Sequence, residues 1–152
     1  MSRGLDASLF EDDDGKVYFL YGGSTIARMK DDMSGLAENF RELHTETGGR
    51  IGFEGIYMFK ANGRYYLSAT DATLPDESYD CMVAMSDSVY GPFKKLQLGL
   101  KYGGHNMFFK DKEDRWFCTI FSFPEDLFNQ KFGIVRIEFA PDGSIHPLDA
   151  RR

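Results

Sequence analysis

Asp6, Glu54 and His105 are the residues of this 152-residue chain whose types and spacing could together do chemistry. Each opens one of three segments that align without a gap, Asp6 to Tyr18, Glu54 to Tyr66 and His105 to Phe117. Two carboxyls and an imidazole at equivalent points of a repeat meet if the repeat winds around a common centre. A carboxyl pair suits cleavage of a glycosidic bond, in which one acid protonates the leaving oxygen while a carboxylate activates water or attacks the sugar. Neighbouring negative charge and partial burial keep a carboxylic acid protonated nearer neutral pH, and Glu54 is the expected donor. Taken singly, either acid reads as a solvated strand end and His105 as a hydrogen-bonded structural histidine. Their shared phase is what favours chemistry, and for His105 it makes a substrate or metal contact the competing assignment. His44 and His146 lack that phase and are expected in loops. Of the nearby aromatics, Tyr57 and Phe108 are expected to stack on a sugar ring, and Trp116 is expected in the core. The run Glu11 to Gly15 is expected as a solvated hairpin turn rather than a calcium-binding loop of the helix–loop–helix kind: counted from Asp12, Val17 and Gly23 stand where glycine and glutamate are needed.

The elements that position these residues are hairpins. In every copy an apolar stretch follows the polar residue, and a turn closes on Gly15, Gly63 or Asp114 nine positions later. A basic residue and paired bulky residues come next. Asp14-Gly15 and Asn62-Gly63 suit turn positions with positive φ, and the flanks suit strands; Glu113-Asp114 lacks the glycine. Further strands are expected at 24–30, 80–85 and 133–139, while Leu36, Phe40 and Leu43 would also line one face of a short helix. The units start 48 and 51 residues apart, the spacing of one antiparallel blade. The expectation is an all-β chain and a single domain over 1–152, a partial β-propeller with blades at about 5–48, 52–100 and 103–148. A plain β-sandwich accounts for regularly spaced strands, but gives no reason for a polar residue at one offset before successive hairpins.

Composition agrees and excludes other classes. The 16 glycines, 5 prolines and 15% aromatics favour short strands joined by tight turns. A formal charge of −6 opposes binding to a phosphate backbone, so no nucleic-acid partner is expected. No apolar run reaches the ~20 residues of a membrane helix, so no membrane partner is expected, and Met1 to Gly4 lack the apolar core of a signal peptide. Localisation stays open, with a secreted or periplasmic location compatible for an intact protein. Cys81 and Cys118 sit in apolar runs without zinc-site spacing and are expected as buried free thiols.

The sequence resembles glycoside hydrolase family 43 and related five-bladed propeller glycosidases. The likeness rests on Leu5 to Tyr18, Phe53-Glu54-Gly55 with Gly63 to Leu67, Ser86 to Phe93, and Gly104 to Phe109. Members invert the anomeric centre of arabinofuranosides or xylosides with one Asp as general base, a second Asp that tunes and orients the acid, and a Glu as general acid. The resemblance implies that Glu54 is the acid, that Asp6 is the tuning carboxylate, and that His105 contacts the substrate or a bound calcium ion. No cofactor is required; a structural calcium ion is the one metal it allows. Ala7 and Ile56 stand where the family usually has proline, and neither change removes a catalytic atom. A five-bladed ring needs roughly 250 residues at this spacing, so the chain is expected to supply the last three blades, with the general base in an earlier one. Partners expected are a carbohydrate substrate and, through open sheet edges, the missing N-terminal blades or a second copy. The alternative is a non-catalytic carbohydrate-binding propeller module.

Overall fold

The computed structural model describes residues 5–73, 75, 78–122 and 131–148; Met1 to Gly4, on which the expectation about a leader rests, lie outside that set. The described residues form three four-stranded antiparallel sheets and no helix. The first holds β1 (Ser8–Glu11), β2 (Val17–Tyr21), β3 (Thr25–Arg28) and β4 (Arg41–Glu42). The second holds β5 (Glu54–Ala61), β6 (Arg64–Thr73), β7 (Ser78–Ser86) and β8 (Lys94–Leu100). The third holds β9 (Phe108–Lys110), β10 (Trp116–Ser122), β11 (Lys131–Phe139) and β12 (Ile145–Pro147). Strands follow chain order across each sheet, as in propeller blades.

Turn chemistry explains the hairpins. Between β5 and β6, Asn62 and Gly63 take φ of 52° and 73°, the mirror-image turn whose twist matches its flanking strands. The turns after β1 and β9 each bring one residue into the left-handed region, Gly15 at 79° and Asp114 at 60°. Asp114 manages without glycine because the Asp111 carboxylate accepts hydrogen bonds from the Glu113 and Arg115 amides. The helical alternative at Leu36 to Leu43 does not hold: Leu36 bridges to Met29, and Arg41 and Glu42 pair with Ile26 and Thr25. His146 is a strand residue in β12, not a loop residue, and its Nε2 lies 2.9 Å from Ser144 Oγ; His44 does lie outside the strands.

The core consists of two interblade layers, with the middle blade contributing to both. Ile56, Met58, Leu67, Ala69, Met82 and Ala84 pack against Phe10, Tyr18, Leu20 and Ile26 of the first blade. Alternate residues of the same strands, among them Phe59, Tyr66, Cys81 and Val83, pack against Phe108, Cys118 and Ile137 of the third. Burial on both faces is why β7 reads as an unbroken apolar run rather than an alternating one. Both cysteines are free and buried, and burial pushes their thiols up, that of Cys118 to about 12. Among the described residues no helix is long and apolar enough to cross a membrane.

Candidate active site

The first strands of the three blades lie side by side. Ser8 Oγ donates to the Ile56 carbonyl at 2.8 Å, and Tyr57 Oη donates to the Phe108 carbonyl at 3.1 Å. Asp6 comes two residues before β1, Glu54 is the first residue of β5, and His105 stands three residues before β9. One ligand atom from each of the three lies within 4.8 Å of the others. Asp6 and Glu54 are half-buried and His105 is exposed.

A shared backbone feature aims these side chains. Asp6 and His105 are left-handed, at φ 61° and 58°, and in the middle blade the same turn falls one residue later, on Gly55 at 65°. For Asp and His this geometry costs on the order of 1 kcal/mol or more and persists only where the surroundings impose it. Here Asp6 Oδ2 accepts from the Gly55 amide at 3.1 Å, and the His105 amide donates to Thr70 Oγ1 at 2.8 Å. Gly55 also permits the close approach of blades, since a Cβ there would stand 3.3 Å from both Cα and Nδ1 of His105. The loop that carries His105 is anchored by buried Asp80, which accepts from the Tyr102 amide at 2.7 Å and from Ser78 Oγ at 2.7 Å. Buried Asn106 fixes the other side of that loop by donating to the Gly103 and Thr119 carbonyls, both at 2.7 Å.

Two further side chains enter the site that the repeat did not reveal. Tyr79 Oη donates to Glu54 Oε1 at 2.6 Å and lies 3.5 Å from His105 Nδ1. Its phenol is pushed well up, first by burial and then by the hydrogen bond to Glu54. Thr70, fully buried, sits between Tyr79 and the His105 amide. His105 Nε2 stands 4.0 Å from Asp6 Oδ1, so a protonated imidazole would meet a carboxylate there.

The aromatics divide. Phe108 is a correction: only 3% exposed and 4.4 Å from the Phe59 ring, it belongs to the interblade core and offers no face to a ligand. Trp116 packs against Phe59 and Phe139. Tyr57 is half-buried, and burial pushes its phenol up. It lines a hollow of about 310 Å³ with Asp6, Gly55, His105, Asn106 and Met107. A larger hollow of about 650 Å³ opens beside Tyr79 and His105 along Phe121, Phe132 and Ile134.

Calcium takes six to eight oxygen ligands. The trio offers two carboxylates and a nitrogen, with Glu54 Oε1 already accepting from Tyr79. These three side chains supply too few oxygens to hold calcium by themselves.

A blade array with clustered carboxyls at the start of its first strands is the architecture of propeller glycosidases, and comparison with known proteins agrees. The family model described as glycosyl hydrolases family 43 matches residues 1–145, and the chain belongs to that family. A β-D-galactofuranosidase from Aspergillus niger is 31% identical, with 74% of this chain and 36% of that protein covered. A β-xylosidase from Xylanibacter ruminicola is 28% identical, covering 60% of this chain and 40% of the relative. Among solved structures, CoXyl43, a β-xylosidase/α-arabinofuranosidase from a compost microbial metagenome crystallised with xylotriose, superposes with a TM-score of 0.77 at 23% identity. It covers 94% of this chain and 57% of its own. BlXynB from Bacillus licheniformis gives 0.78 at 20% identity, covering 97% of this chain and 32% of its own. The chain thus spans well under half the length of these two curated relatives.

Proposed function

We propose that this chain is the acid-bearing part of an inverting glycosidase that acts on arabinofuranosides, xylosides or related furanosides of plant-type polysaccharides and oligosaccharides. The observation that carries the reading is the meeting of Asp6, Glu54 and His105 within 4.8 Å at the start of three successive blades. Glu54 protonates the departing glycosidic oxygen. Asp6 orients and tunes it: its Oδ2 holds the Gly55 amide beside Glu54 and its Oδ1 faces His105. His105 and the exposed part of Tyr57 contact the sugar. The scheme needs no cofactor.

Asp6 does not serve as the general base. Inverting enzymes keep their two carboxyls ~6.5–9.5 Å apart to admit a water, and this pair is closer than that. The base then belongs to a blade outside this chain, in keeping with the short span of the relatives that the chain covers. A carboxyl spacing near the ~5 Å of retaining enzymes supports a second reading, with Asp6 as nucleophile; product stereochemistry read by proton NMR at early turnover separates the two.

The test compares nitrophenyl arabinofuranoside, xyloside and galactofuranoside hydrolysis by this chain and by a polypeptide that carries the preceding blades. The longer polypeptide is expected to turn over at least one of them and the chain alone almost none. Glu54→Gln in the longer form should lower kcat about 10²- to 10⁴-fold on substrates whose leaving group needs a proton. Full activity of Glu54→Gln on substrates whose leaving group needs a proton, or a longer form inert on all three nitrophenyl glycosides, overturns the assignment. In the inert case, sugar binding unaffected by Glu54→Gln would favour a carbohydrate-binding module instead.

A further inference from the structure

The hydrogen bonds around Glu54 have only one consistent direction. Oε1 of Glu54 accepts both as part of a carboxylate and as the carbonyl oxygen of an acid protonated on Oε2, so the single proton of the Tyr79 phenol goes to Glu54 Oε1 at 2.6 Å. Thr70 Oγ1 already accepts from the His105 amide, which leaves its own proton for the Tyr79 oxygen within its reach. The 3.5 Å approach of His105 Nδ1 to Tyr79 is then open only to a protonated Nδ1 acting as donor. A donor chain therefore runs from the backbone of the third blade through Thr70 of β6 and Tyr79 of β7 to the carboxyl at the head of β5.

Packing holds the tyrosine on this line. The Phe53 ring meets the Tyr79 ring edge-on, at 6.3 Å and 66°. Behind it, a Cβ on Gly104 would come within 2.6 Å of two Tyr79 ring carbons, so the glycine leaves just enough room for the ring. The Tyr79 carbonyl in turn accepts from the Gly104 amide at 3.2 Å. Because the phenol is pushed up by burial and by Glu54 itself, the hydroxyl stays protonated wherever a glycosidase works.

We infer that Tyr79 is a positioning residue for the acid: it pins Oε1 of Glu54 so that Oε2 presents the proton, and it ties the aim of that carboxyl to the seating of the third blade. The inference rests on the reading of Glu54 as the general acid. Tyr79 touches the carboxyl and not the reacting bond, so its loss should reach catalysis only where the acid is needed.

Tyr79→Phe removes the hydroxyl and keeps the ring. In the polypeptide carrying the preceding blades, kcat should fall about 10- to 100-fold on a disaccharide or alkyl glycoside, with KM unchanged. On a dinitrophenyl glycoside, whose leaving group departs without a proton, kcat should change less than about twofold, as expected for a defect confined to acid catalysis. Glu54→Gln is the reference. If Glu54→Gln shows this leaving-group dependence and Tyr79→Phe does not, the role of Tyr79 falls and the acid assignment stands. If Glu54→Gln lacks it too, both fall. A second readout needs no turnover: with tyrosine labelled at ring carbon ζ, the signal missing from Tyr79→Phe identifies Tyr79. Its titration in this chain should move down in Glu54→Gln, because a neutral amide relieves the penalty of ionising beside a carboxylate. An unmoved titration means that the hydrogen bond is absent and overturns the inference by itself.

Discussion

At the scale of single residues, the site depends on left-handed backbone at the entrance to each first strand. Gly55 is where that requirement is strictest. Its φ of 65° disfavours any side chain, and an added Cβ would meet Thr70 Oγ1 at 3.1 Å and His105 at 3.3 Å. Gly55→Ala should therefore lose about 1–3 kcal/mol of stability, seen as a lower urea midpoint with an unchanged slope. A midpoint equal to that of the unmutated chain would mean that the turn is not enforced. The three polar residues before the hairpins were legible because they share one offset in a gapless repeat. Tyr79 and Thr70 were not, since they come from β7 and β6, at positions no sequence phase connects to Glu54. Phe108 was misassigned for a reason of parity. In Met107-Phe108-Phe109 no alternation tells which aromatic faces the neighbouring blade, and pairing sends Phe108 inward opposite Cys118 and Phe109 outward opposite Phe117.

At the scale of elements, what keeps β1 and β5 in register at the site is fixed at the far end of their hairpins as well. Asp12, at the turn after β1, accepts from Lys60 Nζ at 2.7 Å and from Tyr65 Oη at 2.6 Å, and Lys60 also reaches Asp13 at 2.8 Å. The Asp12 side chain is 9% exposed. Burial pushes its carboxyl up, and the bonds from Lys60 and Tyr65 outweigh this and hold it below the usual value. A depressed carboxyl contributes stability that is present above its unfolded value, near 3.8, and is lost as pH falls through the lower folded value. Asp12→Asn should cost about 1–2 kcal/mol at pH 7, and the gap between variant and unmutated chain should close below about pH 4. Thermal denaturation at pH 7 and pH 3 checks this; an equal gap at both would remove the ion pair as its source. The staple was hidden in the sequence, where Asp12 to Asp14 looked like an ordinary solvated turn.

At the scale of the whole molecule, the middle blade is covered on both faces and the outer two are not. On the first blade Leu9, Phe19, Tyr21 and Phe40 cluster on the face away from β5, with Leu9 53% and Phe40 44% exposed. On the third, Phe109, Phe117, Phe121, Phe132 and Ile134 share the outward face, with Phe132 80% and Ile134 65% exposed. Full burial of either of the last two is worth ~1.5–3 kcal/mol, and patches of this kind on an isolated chain favour association. The two faces are unlike, so the pairing that buries both is head to tail. Two copies joined that way would supply six blades, a ring that closes only if the interblade angle opens from that of a five-bladed propeller, inside the four-to-eight range of known rings. The isolated chain should then scatter light as roughly twice its 17.3 kDa, more completely at high salt, where the −6 charge of each copy is screened. Phe132→Asp combined with Ile134→Asp should return it to the monomer mass while leaving the two interblade cores intact by circular dichroism. A strictly monomeric unmutated chain at high protein concentration would mean that these faces have no affinity for each other and wait only for blades of their own polypeptide.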